Sequence, residues 1–219
     1  GVAIWTTTPW TIPANLAVSV NPELTYTVVE IESLPASPSV PAEQESEKKQ
    51  STKGKKESDR KPTAEVEKET SVKFKYLLVA ADLVDRLSAT LGVKLHKKAM
   101  VTGKALEGST YRHPLFDRES PIVIGGDYVT TDSGTGLVHT APGHGQEDYG
   151  VGQRYNLPIL SPVDADGKFT EEAGRFAGLY VLSKDDKGIS EGNAAVIQAL
   201  ADAGCLLKQE AYEHKYPYD

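Results

Sequence analysis

The sequence predicts an α+β domain built on a twisted or barrelled, β-barrel-rich sheet with peripheral helices. Three observations lead there. Strand-like runs outnumber helical stripes along the chain. The two clear amphipathic stripes are each stopped by a glycine, and Gly125-Gly126 and Asp132-Ser-Gly-Thr-Gly136 punctuate the strands as turns. The 219 residues suit a single domain, 1–219, with one elaborate insertion.

Taken in order, Val2 opens a strand that runs into three threonines and ends at Pro9, because proline removes a ladder donor. Thr25 to Ile31 and Val72 to Val79 are β-branched or alternating and read as two strands of one hairpin. Between them, residues 33–70 contain no aromatic residue, four prolines, eight basic and eight acidic side chains. Such a segment cannot bury enough apolar surface to offset the entropy of ordering it, so it is expected to be a disordered charged insertion. Asp82 to Leu91 carries Leu83, Val84, Leu87 and Leu91 on one helical stripe and stops at Gly92. Strands are expected at Ala99 to Leu106, Pro121 to Ile124, Asp127 to Thr130 and Gly136 to His139. A short helix is expected from Gln146. A longer one covers Gly192 to Ala203, with Ala195, Val196, Ala199 and Leu200 inward, followed by a strand-like run from Cys205 to Tyr212.

Composition excludes several classes. No apolar run approaches the roughly 18 residues of a membrane span, and the first residues lack the basic region and cleavage site of a secretory signal. One cysteine, Cys205, rules out an internal disulfide framework and a multi-thiolate metal site, and fits a reducing compartment. The net charge of −7, from 24 basic and 31 acidic residues, argues against a protein that coats nucleic acid by charge.

Two segments concentrate polar residues. In WTTTPWTIPAN (5–15), three successive hydroxyls cannot all face a core, since strand side chains alternate. By pattern alone an ordinary threonine-rich edge strand, with its tryptophans in the core, explains this segment slightly better. In SGTGLVHTAPGHGQED (133–148), an apolar strand delivers His139 to its end, a turn follows, and Glu147 and Asp148 sit in the first turn of a helix, where the helix dipole favours carboxylates. A metal hydrolase using His139, His144 and Asp148 is one competing reading, although Pro142 and Gly143 between the histidines match no standard zinc spacing. A non-catalytic β-rich module holding an amino acid or a nucleotide is another. Gly143, Gly145 and Gly150 miss the dinucleotide fingerprint, no GxSxG occurs, and Cys205 reads as a packed thiol.

WTTTPWTIPAN followed by GTGLVHTAPGHGQEDY resembles the inserted editing (connective peptide) domain of isoleucyl-tRNA synthetases of bacterial or organellar type. The closing run HKYPYD (214–219) is similar to the point where that insertion returns to the catalytic domain. The likeness spans nearly the whole chain outside 33–70. The HIGH and KMSKS-type signatures of an aminoacylating, ATP-binding site do not occur, so the resemblance implies proofreading without tRNA charging. In an apolar pocket one methylene is worth about 1–3 kcal/mol, a magnitude for which this enzyme family is itself the reference case, and a second hydrolytic site is needed to remove valine.

The resemblance also implies residue roles. Thr6, Thr7, Thr8 and Asn15 would hydrogen-bond the ester, the terminal adenosine or the attacking water. Asp148 would bind the α-ammonium, His139 would form the wall that excludes isoleucine, and Trp10 would pack beside the pocket. The implied partners are the 3′ end of isoleucine tRNA, a valyl ester or valyl adenylate, and the catalytic domain of a parent synthetase. The implied domain is a monomer with no cofactor, no metal and no membrane contact. Its acidic surface implies weak tRNA affinity in isolation. The motif style together with the charged insertion points to a plastid or mitochondrion, with the cytoplasm as the alternative. Deleting residues 33–70 is expected to leave the melting temperature within a few degrees of the intact chain, since long surface insertions cost little closure entropy; differential scanning calorimetry of the two proteins checks this.

Overall fold

A computed structural model describes residues 1–32, 73–183 and 189–210. The expected insertion at 33–70, the start of the strand at Val72 and the closing run 214–219 lie outside these residues.

The strands form two open sheets rather than a closed barrel among the described residues, so the α+β expectation stands and its barrel component is corrected. One sheet has the order β5-β6-β1-β7, where β1 is Ala17–Val20, β5 Thr110–Arg112, β6 Glu119–Ile124 and β7 Val138–Thr140. The other has the order β3-β2-β4, with β2 at Thr25–Ile31, β3 at Tyr76–Ala80 and β4 at Leu95–Thr102. β2 and β3 pair antiparallel with Thr27 opposite Val79, so the two flanks of the insertion do form one hairpin. Tyr26 ties the sheets together. Its fully buried hydroxyl donates to Gly136 O at 2.9 Å, accepts from Asn21 N at 2.9 Å, and its ring packs among Val18, Val20 and Leu137.

Among the described residues four α-helices flank the sheets. Helix α1, Val84–Leu91, follows a 3-10 turn at Ala81–Leu83 and ends at Gly92 in the left-handed conformation, as its sequence predicts. It lays Val84, Leu87 and Leu91 on Val29, Leu77 and Val79. Helix α2 is the single turn Gly103–Leu106, α3 spans Gln146–Arg154 and α4 spans Glu191–Asp202. Val151 of α3 packs on Ala17 and Val123. Val196 and Ala199 of α4 pack on Ile12, Phe169 and Phe176, with Ala195 and Leu200 beside them. Ser190 caps α4, accepting from Asn193 N at 3.2 Å. Among the described residues no helix is long and apolar enough to cross a membrane.

Several expected strands are corrected. Val2 makes only one isolated bridge, to Leu78, and Pro9–Ala14 winds into a 3-10 helix. Proline at its first position has the right φ and lacks only an N–H that would be orphaned anyway. The run expected at Ala99 to Leu106 begins earlier, at Leu95, and ends at Thr102, whose hydroxyl accepts from Ala105 N and starts α2. Asp127 to Thr130 is a turn, closed by Val129 N donating to Gly126 O at 3.1 Å. Residues 205–210 form no strand, and 211–212 lie outside the described residues.

Gly103 enters α2 with its α-carbon pressed against β1's exit, and a Cβ there would lie 1.9 Å from Asn21 O. Gly103→Ala is therefore expected to destabilise the fold by about 1–3 kcal/mol, as overpacking does. Gly150→Ala, inside α3 where an added methyl meets nothing within 4 Å, is expected to stabilise it by about 0.5–1 kcal/mol. Urea denaturation midpoints for the two variants should move in opposite directions.

Candidate functional site

The two polar segments are brought together by strand pairing. β1 lies between β6, parallel to it, and β7, antiparallel, with Val18 opposite His139 and Ala17 opposite Thr140. Leu16 N donates to Thr140 O at 3.0 Å, extending the ladder by one residue toward the 3-10 helix. The last residues of the first motif thus run alongside the strand that carries His139.

His139 is held at both ring nitrogens. Asn15 Nδ2 lies 2.8 Å from Nδ1, and Thr11 Oγ1 lies 3.0 Å from Nε2. Asn15 Nδ2 also donates to Ala17 O at 2.9 Å, and Thr11 Oγ1 donates to Thr8 O at 2.8 Å. An amide nitrogen only donates, so Nδ1 is the bare nitrogen and the neutral ring carries its proton on Nε2. Burial, aided by the nearby imidazoles of His113 and His144, pushes the His139 pKa down to about 4.

The first motif is braced from outside. Arg118 donates from its guanidinium to Asn15 O and to Pro13 O, both at 3.0 Å. His113 Nε2 lies 2.9 Å from Ile12 O, while its Nδ1 accepts from Leu115 N and Phe116 N, so it too is the neutral Nε2–H form. Burial pushes its pKa down to about 4. Tyr111 OH donates to Asn15 Oδ1. Trp10 N donates to Asn193 Oδ1 of α4 at 2.9 Å. A cavity of about 180 Å³ is lined by Arg112, His113, Phe116 and Arg118, residues of this brace rather than of the motifs.

The threonines differ among themselves. Thr6 Oγ1 accepts from Thr8 N at 3.0 Å, Thr7 is exposed, and the Thr7 and Thr8 hydroxyls lie 3.4 Å apart. Among the described residues, none of these three hydroxyls bonds to the second segment. Asp148, in the first turn of α3, accepts from Ala141 N at 2.9 Å through Oδ2, and no other hydrogen bond engages it among the described residues. Burial raises its pKa, and the neighbouring Glu147 carboxylate adds to the effect. Gly145 leaves room for it, since a Cβ there would lie 3.1 Å from Oδ2. Trp10 meets His144 edge-on, with ring centroids 5.0 Å apart. His144 Nε2 is buried with no hydrogen bond among the described residues.

All seven expected site residues therefore fall on two facing segments. Asn15 touches His139 directly, the backbone carbonyl of Thr8 reaches it through Thr11, and Trp10 meets His144 edge-on in the turn that leads to Asp148. The hydroxyls of Thr6 and Thr7 make no hydrogen bond to the second segment among the described residues. Sequence reasoning missed Thr11, Tyr111, His113 and Arg118. Thr11 lay inside the quoted motif; the other three sit in a stretch without periodicity or motif, and only tertiary structure brings them to the site.

Residues 80–201 match the family described as leucyl-tRNA synthetase, editing domain, and the chain belongs to that family. Across its whole length it is 59% identical to the isoleucine–tRNA ligase of Nostoc punctiforme and 58% identical to that of Synechocystis sp., of which it covers 19% and 18%. The chain thus spans about a fifth of the length of these relatives. A solved structure, GlLeuRS-CP1, is similar at 14% identity and a TM-score of 0.45, over 87% of this chain and 64% of that one.

The two buried histidines set an acid limit on stability. Their folded pKa values, about 4, lie below the usual value near 6.5. Above pH 6.5 both folded and unfolded chains are neutral there and the full stability is present. Between pH 6.5 and 4 the unfolded chain takes up protons that the folded one refuses, so stability falls by up to about 1.4 kcal/mol per pH unit for each histidine. Asp148, with its raised pKa, works in the opposite sense. Melting temperatures are expected to fall as pH is lowered from 6.5 to 5, and less steeply in His113→Gln, which keeps a donor but cannot titrate.

Proposed function

We propose that this domain proofreads isoleucine tRNA, hydrolysing valine from the valyl-tRNA ester and from valyl adenylate. The observation that carries the reading is the His139 imidazole, with both nitrogens committed to protein partners. A ring whose one lone pair already accepts from Asn15 and whose one proton is already donated to Thr11 is poorly placed to act as general base. It is well placed to be a rigid neutral wall.

On this reading the ester needs a positioned water and donors toward the developing oxyanion, because its leaving group is already activated. Thr6, Thr7 and Thr8 supply hydroxyls on the turn before the 3-10 helix, and Asn15 and Thr11 hold the wall. Asp148 keeps one oxygen on Ala141 N and offers the other to the substrate's α-ammonium, a charge-assisted contact that favours a free amine. Trp10 closes the pocket beside His144. With its Nδ1 lone pair accepting from Asn15 and its Nε2 proton donated to Thr11, His139 has no free lone pair to offer a metal ion, and the proposed reaction needs none. Activity that survives a chelator is the corresponding check.

The same proposal places the domain in a longer synthetase, working as a monomer beside its catalytic domain and receiving only the single-stranded 3′ end. Stacking and hydroxyl contacts suit such an end, and the net charge of −7 suits no extensive duplex grip. A plastid or mitochondrial location, with the cytoplasm as the alternative, completes the proposal on the motif style taken together with the charged insertion at 33–70.

The test is release of valine and isoleucine from isoleucine tRNA by the chain and two variants. With His139→Ala, valyl-tRNA hydrolysis should fall only modestly and isoleucyl-tRNA hydrolysis should appear, because one methylene of discrimination is worth about 1–3 kcal/mol. Loss of both by about 10²–10⁴-fold would instead identify a general base. Asp148→Ala should weaken binding of a non-hydrolysable valyl analogue at least ten-fold, as expected for losing a charge-assisted contact worth about 1.5–3 kcal/mol. Unchanged affinity would place the amine anchor elsewhere.

A further inference from the structure

Tyr111 stands on β5, outside both motifs, yet its hydroxyl reaches the amide on which the His139 proton position depends. The directions of the hydrogen bonds around that amide follow from its carbonyl neighbours. Ala17 O has no proton to give, so the nitrogen of the Asn15 amide must face it, at 2.9 Å. The same nitrogen lies 2.8 Å from His139 Nδ1, which assigns both amide protons and leaves Nδ1 as an acceptor. His139 Nε2–H then donates to Thr11 Oγ1, and Thr11 passes its own proton to Thr8 O. At the other end, Asn15 Oδ1 accepts from Tyr111 OH. Donation therefore runs one way, from Tyr111 through Asn15, His139 and Thr11 to the backbone of Thr8.

We propose that Tyr111 is a positioning residue. Acting from the oxygen end while Ala17 O engages the nitrogen end, its hydroxyl holds the Asn15 amide in one orientation and so keeps the His139 proton on Nε2 and the imidazole in one pose. The amide rotates about a single side-chain bond, and it is buried, so an Oδ1 without a donor is unfavourable where water cannot replace one. Tyr111 keeps its proton throughout the physiological range because burial raises its pKa. The backbone of Asn15 is held separately, by Arg118 on Asn15 O and Pro13 O, so removing the Tyr111 hydroxyl acts on the side chain alone. Tyr111 also packs its ring on the core beside Ile122, a contact that phenylalanine preserves. The consequence for amino-acid selectivity rests on the proofreading reading; the proton position does not.

The experiment is long-range proton–nitrogen correlation NMR of the imidazoles in the 219-residue chain, without tRNA. The chain has five histidines, and His139 is assigned by the signals lost in His139→Gln. In the wild type, a bare Nδ1 and a protonated Nε2 are expected. Tyr111→Phe is expected to give averaged nitrogen shifts from two exchanging tautomers. Asn15→Asp puts an acceptor opposite Nδ1 and is expected to move the proton there and to raise the pKa of His139. In parallel, Tyr111→Phe should increase isoleucyl-tRNA hydrolysis relative to valyl-tRNA hydrolysis by roughly ten-fold, a loosened wall losing about one methylene of discrimination. A wild-type ring protonated on Nδ1, or a single Nε2–H form persisting in Tyr111→Phe, overturns the proposal. If the wild type keeps the Nε2–H form but releases neither amino acid, the proofreading reading fails and the positioning role of Tyr111 stands on the spectra. If valine is released normally while Tyr111→Phe leaves the tautomer untouched, only the role of Tyr111 fails.

Discussion

The pairing of β1 with β7 is the constraint on which the rest of the site depends. β1 is only four residues long, is buried throughout, and is bonded on both sides. Its antiparallel register sets Val18 against His139 and Ala17 against Thr140. Side chains alternate along a strand, so a slip of one residue would turn His139 to the opposite face and away from Asn15 and Thr11. It would also shift Ala141, whose N–H anchors Asp148. Apolar burial of Val18, Val20 and Ile122 on one side of this sheet and of Ala17, Val123 and Val151 on the other makes the register energetically specific. The polar site therefore inherits its precision from hydrophobic packing two or three residues away.

Within that frame, polarity is arranged by direction rather than by charge. His139 and His113 are both neutral, both protonated on Nε2, and both satisfied at each nitrogen. Arg118 spends its guanidinium on two backbone carbonyls rather than on a carboxylate. Asp148 is anchored through one oxygen to Ala141 N in the turn after β7, and its other oxygen makes no hydrogen bond among the described residues. A pocket with neutral walls and one acidic group discriminates ligands by shape along the walls and by charge at a single point. On the proposed reading these are the side chain and the α-ammonium of the amino acid.

Much of this was legible in the sequence, for identifiable reasons. The helical stripes ending at Gly92 and Gly204 are long enough for their period to be unmistakable, and both helices occur where expected. The hairpin of β2 and β3 was readable across the charged insertion because both flanks are rich in β-branched residues. The two motifs carried enough consecutive polar residues to single out the segments holding Thr8, Asn15, His139 and Asp148, while the roles of those residues came from the resemblance. The opposite holds for β1: a strand buried on both faces shows no alternation, and AVSV between Leu16 and Asn21 has no distinguishing pattern. β5 is three residues long, and the value of Tyr111 and Arg118 lies in partners about a hundred residues away. Asp127 to Thr130 has the composition of a strand, but Gly126 at φ 117° turns the chain before any ladder can form.

On the proposed reading, the separation of the bracing residues from the two motifs explains how such a site could be selective without being strained. On that reading the residues that touch a ligand, Thr6 to Thr8, His139 and Asp148, come from the two motifs. Residues that fix their pose, Tyr111, His113, Arg118 and Asn193, come from β5, the turn after it, and α4, and they bind mainly backbone atoms or the Asn15 amide. A wall held in this way resists displacement, because moving the imidazole requires breaking several directed hydrogen bonds at once in a place where water cannot substitute for them. Discrimination by one methylene demands such resistance. A wall free to recede by the width of a methyl group would accommodate the larger side chain, and the small energy difference available from the pocket would be lost in its own compliance.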